Sequence, residues 1–152
     1  SRTLPFRPRP MFSYSFPFGA QPQWSQWSSF PSDHAVLFFG LAAGLLYVSR
    51  PVGALASIYV LAMICVPRIY LGLHFATDVI GGAILGIVIT CAANTARLRA
   101  ALARPGLYLM QRDPSLFYAG FFLLTYQIAT LFIDVRDLHG FLADTLQHIA
   151  AR

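Results

Sequence analysis

Four long apolar runs limit what this chain can fold into. They extend from the Pro31–His34 entrance to Val48, from Val52 to Val66, from Val79 to Thr95, and from Leu116 to Ile133. Each holds roughly 15–18 residues, a little under the ~20 that cross a bilayer upright, and flanking residues supply the rest. A soluble helix of this length carries a polar face, and these runs show almost none. Of the 152 residues, 57% are hydrophobic and 11% are charged, against about 25% charged in soluble domains. The predicted fold class is all-α, a multi-pass transmembrane helical bundle with about four membrane helices.

Glycines at four-residue spacing, Gly40 with Gly44 and Gly82 with Gly86, fit close approach of membrane helices. Pro67 is predicted to end the second run, and Pro105-Gly106 to break the polar segment before the fourth. Ahead of the runs, Ser1 to Pro10 is basic and proline-rich. Met11 to Phe30 is an aromatic loop whose rings suit either a membrane–water interface or packing on one another. Residues 1–133 are expected to form one membrane-embedded domain. Residues 134–152 form an amphipathic tail, with Leu138, Phe141, Leu142, Leu146 and Ile149 at helical spacing. No cleavable signal peptide is visible, and the chain opens at Ser1 without a methionine, so it reads as an excised piece of a longer protein. Cys65 and Cys91 lie inside apolar runs and read as buried thiols.

The net charge is +5, carried by arginine without any lysine. The arginines sit at the ends of apolar runs rather than along a stripe, which argues against a nucleic-acid partner. Arg50 and the Arg97–Arg112 group fall on one side of the membrane. By the positive-inside rule that side is cytoplasmic, which places His34, the Arg68–Asp78 segment and the tail on the opposite, extracytoplasmic face. Arg68, five residues, His74, three residues, Asp78 is the densest chemical pattern in the chain. If all of it were helical, His74 and Asp78 would share a face and the carboxylate could orient the ring. Taken alone, the pattern fits a histidine satisfied by a local ion pair as well as it fits a reactive one.

Three blocks occur in order: Arg2-x6-Arg9-Pro10, Pro31-Ser32-Asp33-His34, and Pro67-Arg68-x5-His74-x3-Asp78. Together they resemble the signature of the type 2 phosphatidic acid phosphatase superfamily: Lys-x6-Arg-Pro, Pro-Ser-Gly-His, and Ser-Arg-x5-His-x3-Asp. Arg2 stands for Lys, Asp33 for Gly and Pro67 for Ser. The Asp33 form is similar to the bacterial branch that dephosphorylates undecaprenyl diphosphate. The resemblance implies that His74 attacks phosphorus, Asp78 orients it, and His34 protonates the leaving oxygen. It implies that Arg2, Arg9, Ser32, Asp33 (through its N–H) and Arg68 hold phosphate oxygens, with no metal and no cofactor. The family usually has three further membrane helices before the first block, and this chain shows none.

The expected function is hydrolysis of a lipid diphosphate or phosphate monoester, undecaprenyl diphosphate first, at the extracytoplasmic face of a bacterial inner membrane. The implied partners are a lipid phosphate substrate and the membrane. Phosphatidate or phosphatidylglycerol phosphate is the alternative substrate. Two further readings are a vanadate-dependent haloperoxidase, whose soluble members lack such apolar runs, and a non-catalytic transport or assembly subunit with an anion pocket. Binding alone would need only the arginines, so the two histidines and Asp78 favour an enzyme.

Overall fold

The computed structural model describes residues 6–16, 19 and 27–131. Arg2 and the predicted tail lie outside them. Every regular element among the described residues is helical: α1 (Pro10–Ser13), α2 (Asp33–Val48), α3 (Arg50–Tyr59), a π-helical stretch (Val60–Cys65), α4 (Val66–Tyr70), α5 (Ala76–Ala93), α6 (Ala96–Arg112) and α7 (Pro114–Ala129). The chain divides into two compact units, Ser1–Leu98 and Arg99–Arg152.

In the first unit, α2 packs along α5 through the predicted glycines. A Cβ added at Gly86 would lie 2.1 Å from the Val36 carbonyl oxygen, and one at Gly82 would lie 2.7 Å from that of Ser32. Only glycine permits this approach. Thr90 uses the closeness, its Oγ1 donating to the Gly40 carbonyl at 3.0 Å. The N-termini of α2 and α5 are thereby fixed side by side.

Arg50 to Tyr70 forms one 21-residue apolar helical segment. The sequence predicts a stop at Pro67, but the segment runs through it. Pro67 cannot donate to the preceding turn, and its ring crowds the carbonyl four residues back. The π-helical stretch lies immediately before α4, whose first turn contains Pro67. A widened turn of this kind removes the conflict without ending the helix. The segment therefore carries Arg68 and ends at Tyr70, close to the loop that bears His74.

Two described helices are long and apolar enough to cross a membrane, Arg50–Tyr70 and Ala76–Ala93, and Asp33–Val48 is a shorter apolar one. Only 17% and 22% of their most apolar windows are buried, which separates them from the core helices of a soluble protein. Leu41, Leu55, Ile58, Met63, Ile84 and Val88 all face outward. An apolar surface this broad is that of a membrane protein. α7 holds 16 residues among the described ones, and the predicted fourth run continues past them to Ile133. The small apolar core is Ala35, Val60, Cys65 and Val79. The other buried residues include Arg9, Ser29, Ser32, His74 and Asp78.

In the second unit, α6 continues through Pro105 and Gly106 where the sequence predicts a break. Residues 101–105 are exposed, so solvent can satisfy the carbonyl that Pro105 leaves free. Asp113 caps α7 by accepting the Leu116 N–H at 3.1 Å.

Candidate active site

Helix α5 begins at Ala76, with Phe75 as its extended N-cap (φ −76°, ψ 156°). Asp78 is then the third helical residue. Its Oδ2 reaches back to accept the Phe75 backbone N–H at 2.8 Å, satisfying an orphan amide of the first turn. His74 precedes the helix, so the predicted shared helical face of His74 and Asp78 does not form.

Asp78 is completely buried, where an unpaired carboxylate is costly. Besides Phe75, it accepts from the Ser29 hydroxyl and from Arg7 Nη1 at 2.6 Å. Arg7 also donates to Thr77 Oγ1 at 3.0 Å, and its guanidinium stands 4.3 Å from the Phe75 ring centroid. The sequence reading names Arg2 and Arg9 in the leader and passes over Arg7. A signal existed: a carboxylate buried at a helix start needs a cation, and Arg7 lies two residues from Arg9.

Ser29 joins the carboxylate to the imidazole. Its hydroxyl donates to Asp78, its N–H donates to the Arg7 carbonyl at 2.8 Å, and its carbonyl lies 2.9 Å from His74 Nδ1. The carbonyl can only accept, so Nδ1 carries the proton and Nε2 keeps its lone pair. His74 Nε2 faces Arg9 Nη1 at 3.5 Å. Arg9 also donates to the Leu73 carbonyl at 3.1 Å. The backbone of Met11, just inside α1, donates to the Gly72 carbonyl at 2.9 Å. Gly72 adopts φ +70°, and a Cβ added there would lie 2.9 Å from the Phe16 ring, a conformation and a closeness suited to glycine. These contacts pin the leader onto the His74 loop.

Burial holds the His74 ring below its ordinary value of 6.5, the neighbouring Arg9 adds to this, and the Ser29 hydrogen bond, Asp33 and Asp78 oppose it. The ring is therefore neutral near pH 7. Burial also lowers Arg9, with Arg68 acting the same way and Asp33 and Asp78 opposing; a guanidinium nevertheless stays charged at any ordinary pH. Arg9 is thus within electrostatic reach of Asp33, Arg68 and Asp78, and His74 of Arg9, Asp33 and Asp78.

Ser32 is the N-cap of α2, but its side chain makes no cap hydrogen bond. Its N–H donates to the Asp78 carbonyl at 3.2 Å, and its own carbonyl accepts from Val36 at 3.0 Å. Its Oγ is buried with no hydrogen-bond partner among the described residues. Leaving such a group unsatisfied costs about 1–3 kcal/mol, and an anionic oxygen at the α2 N-terminus would supply what it lacks. Asp33 turns to the next residue: its Oδ1 accepts the His34 backbone N–H at 2.8 Å and lies 2.8 Å from His34 Nδ1. The resemblance gives Asp33 a phosphate contact through its backbone N–H, and its carboxylate is engaged with His34. The His34 ring lies 6.2 Å from that of Phe38.

The arrangement combines a neutral imidazole with a directed lone pair, two arginines, a buried hydroxyl at a helix N-terminus and a second imidazole held by a carboxylate. That set suits attack on phosphorus with stabilisation of the developing oxyanion charge.

Among known proteins, the chain is similar to the bacitracin transport permease protein BcrC of Bacillus licheniformis, 36% identical over 61 residues. That alignment covers 40% of this chain and 30% of the relative, so the chain spans less than a third of the relative's length. No solved structure matches it. The model of the PAP2 superfamily matches residues 3–101, which include every described residue of the site. With the geometry above and more than half of its length matched, the chain belongs to the PAP2 superfamily.

Proposed function

We propose that this protein is a membrane lipid phosphatase that removes a terminal phosphoryl group through a phosphohistidine on His74. The observation that supports the reading is the Ser29–His74 hydrogen bond, which leaves the lone pair on Nε2, the nitrogen that faces Arg9. In the first step, the Nε2 lone pair attacks phosphorus and the bond to the leaving oxygen breaks. His34, protonated on Nε2, gives that proton to the leaving oxygen. The phosphorylated ring, with Nδ1 still protonated, is cationic, and the Ser29 carbonyl and the Asp78 charge behind it stabilise it. In the second step, neutral His34 takes a proton from water, the water oxygen attacks phosphorus, and the P–N bond breaks to release phosphate. Arg9, Arg68, Ser32 Oγ and the α2 N-terminus hold the phosphoryl oxygens, and Arg2 joins them by its place in the first block.

Undecaprenyl diphosphate is the first substrate choice, supported by the Pro31-Ser32-Asp33-His34 block, with phosphatidate or phosphatidylglycerol phosphate second. The reading places the site on the extracytoplasmic face of a bacterial inner membrane. The relative's name as a transport permease favours a second reading, an anion-handling transport subunit. A directed Nε2 and a carboxylate-held second histidine exceed what binding alone requires.

The test is phosphate release from undecaprenyl diphosphate in detergent, with a chelator present, for wild type and His74→Ala. The reading expects chelator-resistant release that the substitution abolishes. Equal release from both proteins removes His74 as nucleophile. Release from phosphatidate alone changes the substrate. A folded protein inactive on both lipids moves the weight to transport.

A further inference from the structure

We infer that the Asp33 carboxylate positions His34, leaving phosphate to the backbone at the α2 N-terminus. The inference rests on the phosphatase reading, in which His34 is the proton donor to the leaving oxygen. The geometry has two parts. Asp33 Oδ1 lies 2.8 Å from His34 Nδ1, and the same oxygen accepts the His34 backbone N–H at 2.8 Å. One carboxylate oxygen therefore clamps both the backbone and the ring of the next residue.

A carboxylate facing Nδ1 fixes that nitrogen as the protonated one and leaves Nε2 to exchange protons with the reaction. The imidazolium formed each time His34 takes up a proton lies against a negative charge. The two histidines are thus held in different ways, Nδ1 of His74 by a neutral carbonyl and Nδ1 of His34 by a carboxylate.

The placement also accounts for a carboxylate at an anion site. Asp33 lies within electrostatic reach of Arg9, Arg68 and His74, and its charge would repel an incoming phosphate. Engagement with His34 gives that charge a use in the chemical step. Asp33 therefore costs some ground-state binding and contributes to proton transfer.

The distinction is measurable as a split between kcat and KM. With undecaprenyl diphosphate in detergent, Asp33→Ala is expected to lower kcat about tenfold, less than the roughly 10²–10⁴-fold loss in His34→Ala, with KM unchanged or lowered. Asp33→Asn keeps an oxygen that accepts the Nδ1 proton and is expected to recover part of the lost kcat. In ¹⁵N spectra of histidine-labelled protein, with the His34 signals assigned by His34→Ala, the neutral wild-type ring is protonated on Nδ1, and Asp33→Ala shifts it toward Nε2 protonation.

A raised KM with unchanged kcat in both Asp33 variants would make Asp33 a phosphate contact and overturn the inference. Unchanged His34 nitrogen signals in Asp33→Ala would overturn it independently of activity. Wild-type release unaffected by His34→Ala would remove the phosphatase reading itself, and the inference with it.

Discussion

The Ser29 carbonyl lies 2.9 Å from Nδ1 of His74, and this single contact decides which nitrogen of the ring is available. The Asp78 carboxylate acts one residue removed, by holding the Ser29 hydroxyl and capping α5 through Phe75.

Replacing Asp78 should therefore damage stability and catalysis together. Asp78→Ala strips partners from Ser29, Arg7 and the Phe75 amide. The loss is expected to be about 1–3 kcal/mol, since Arg7 is 39% exposed and water can take over part of its bonding. Thermal unfolding in detergent should show a lowered Tm, with kcat reduced even below that Tm. A variant with wild-type Tm would contradict the buried network.

Ser29→Ala is a gentler probe, because it removes the hydroxyl and leaves the carbonyl. The nucleophile should keep its tautomer while its support loosens. We expect kcat to fall severalfold, well short of His74→Ala, a ranking that steady-state kinetics would check. Loss as complete as in His74→Ala would mean that the hydroxyl itself takes part in the reaction.

Ser32 gives the opposite signature. Its buried Oγ has no partner among the described residues, so Ser32→Ala should leave Tm unchanged or slightly raised. A hydroxyl bound to a phosphate oxygen is worth about 1.5–3 kcal/mol, so KM or the inhibition constant for inorganic phosphate should rise about tenfold or more. A lowered Tm with unchanged phosphate affinity would show the hydroxyl to be structural.

The pH dependence follows from the burial of His74. Its value lies below the ordinary 6.5, so the neutral ring persists below that pH and the acid limb of kcat/KM should lie under 6.5. Stability runs the same way. Below about pH 6.5 the unfolded ring takes up a proton that the buried ring resists, so stability falls as pH drops. Chemical denaturation across pH 7 to 5 should show this slope, reduced in His74→Ala. A limb at or above pH 6.5 would contradict the buried, neutral ring.

Gly86 tests how the fold serves the site. Its substitution by Ala places a methyl 2.1 Å from the Val36 carbonyl oxygen and 3.0 Å from the Gly40 nitrogen, so α2 and α5 must part. Overpacking of this kind costs about 1–3 kcal/mol. It should also lower activity, because Ser32 and His34 ride on α2 while Asp78 rides on α5. Wild-type Tm and activity in Gly86→Ala would refute this packing.

The apolar runs, the helix entrance at Ser32 and the glycine pairs were legible because composition and spacing encode them directly. The start of α5 was not. Treating His74 and Asp78 as helical neighbours assumed a helix that begins two residues later, at Ala76. Pro67 misled because a local breaker was weighed without the π-helical turn that accommodates it. The Ser29 contact with His74 was not legible, since it is made by a backbone carbonyl that residue type does not encode, and its hydroxyl meets Asp78 only through the fold. Arg7 was findable by asking which cation meets a buried Asp78. The motif spacing found His34 and His74, while the carboxylate partner of His34 came only from the structure.

The central claim is that phosphorus passes through His74, and trapping the intermediate tests it most directly. Wild type and His34→Ala would be acid-sparingly quenched during turnover of undecaprenyl diphosphate carrying a labelled terminal phosphate, then mapped by mass spectrometry. The account predicts an acid-labile, alkali-stable phosphoryl group on His74 during wild-type turnover, which both forms and breaks down more slowly in His34→Ala. Turnover with no label on His74, or with the label on His34, would contradict it.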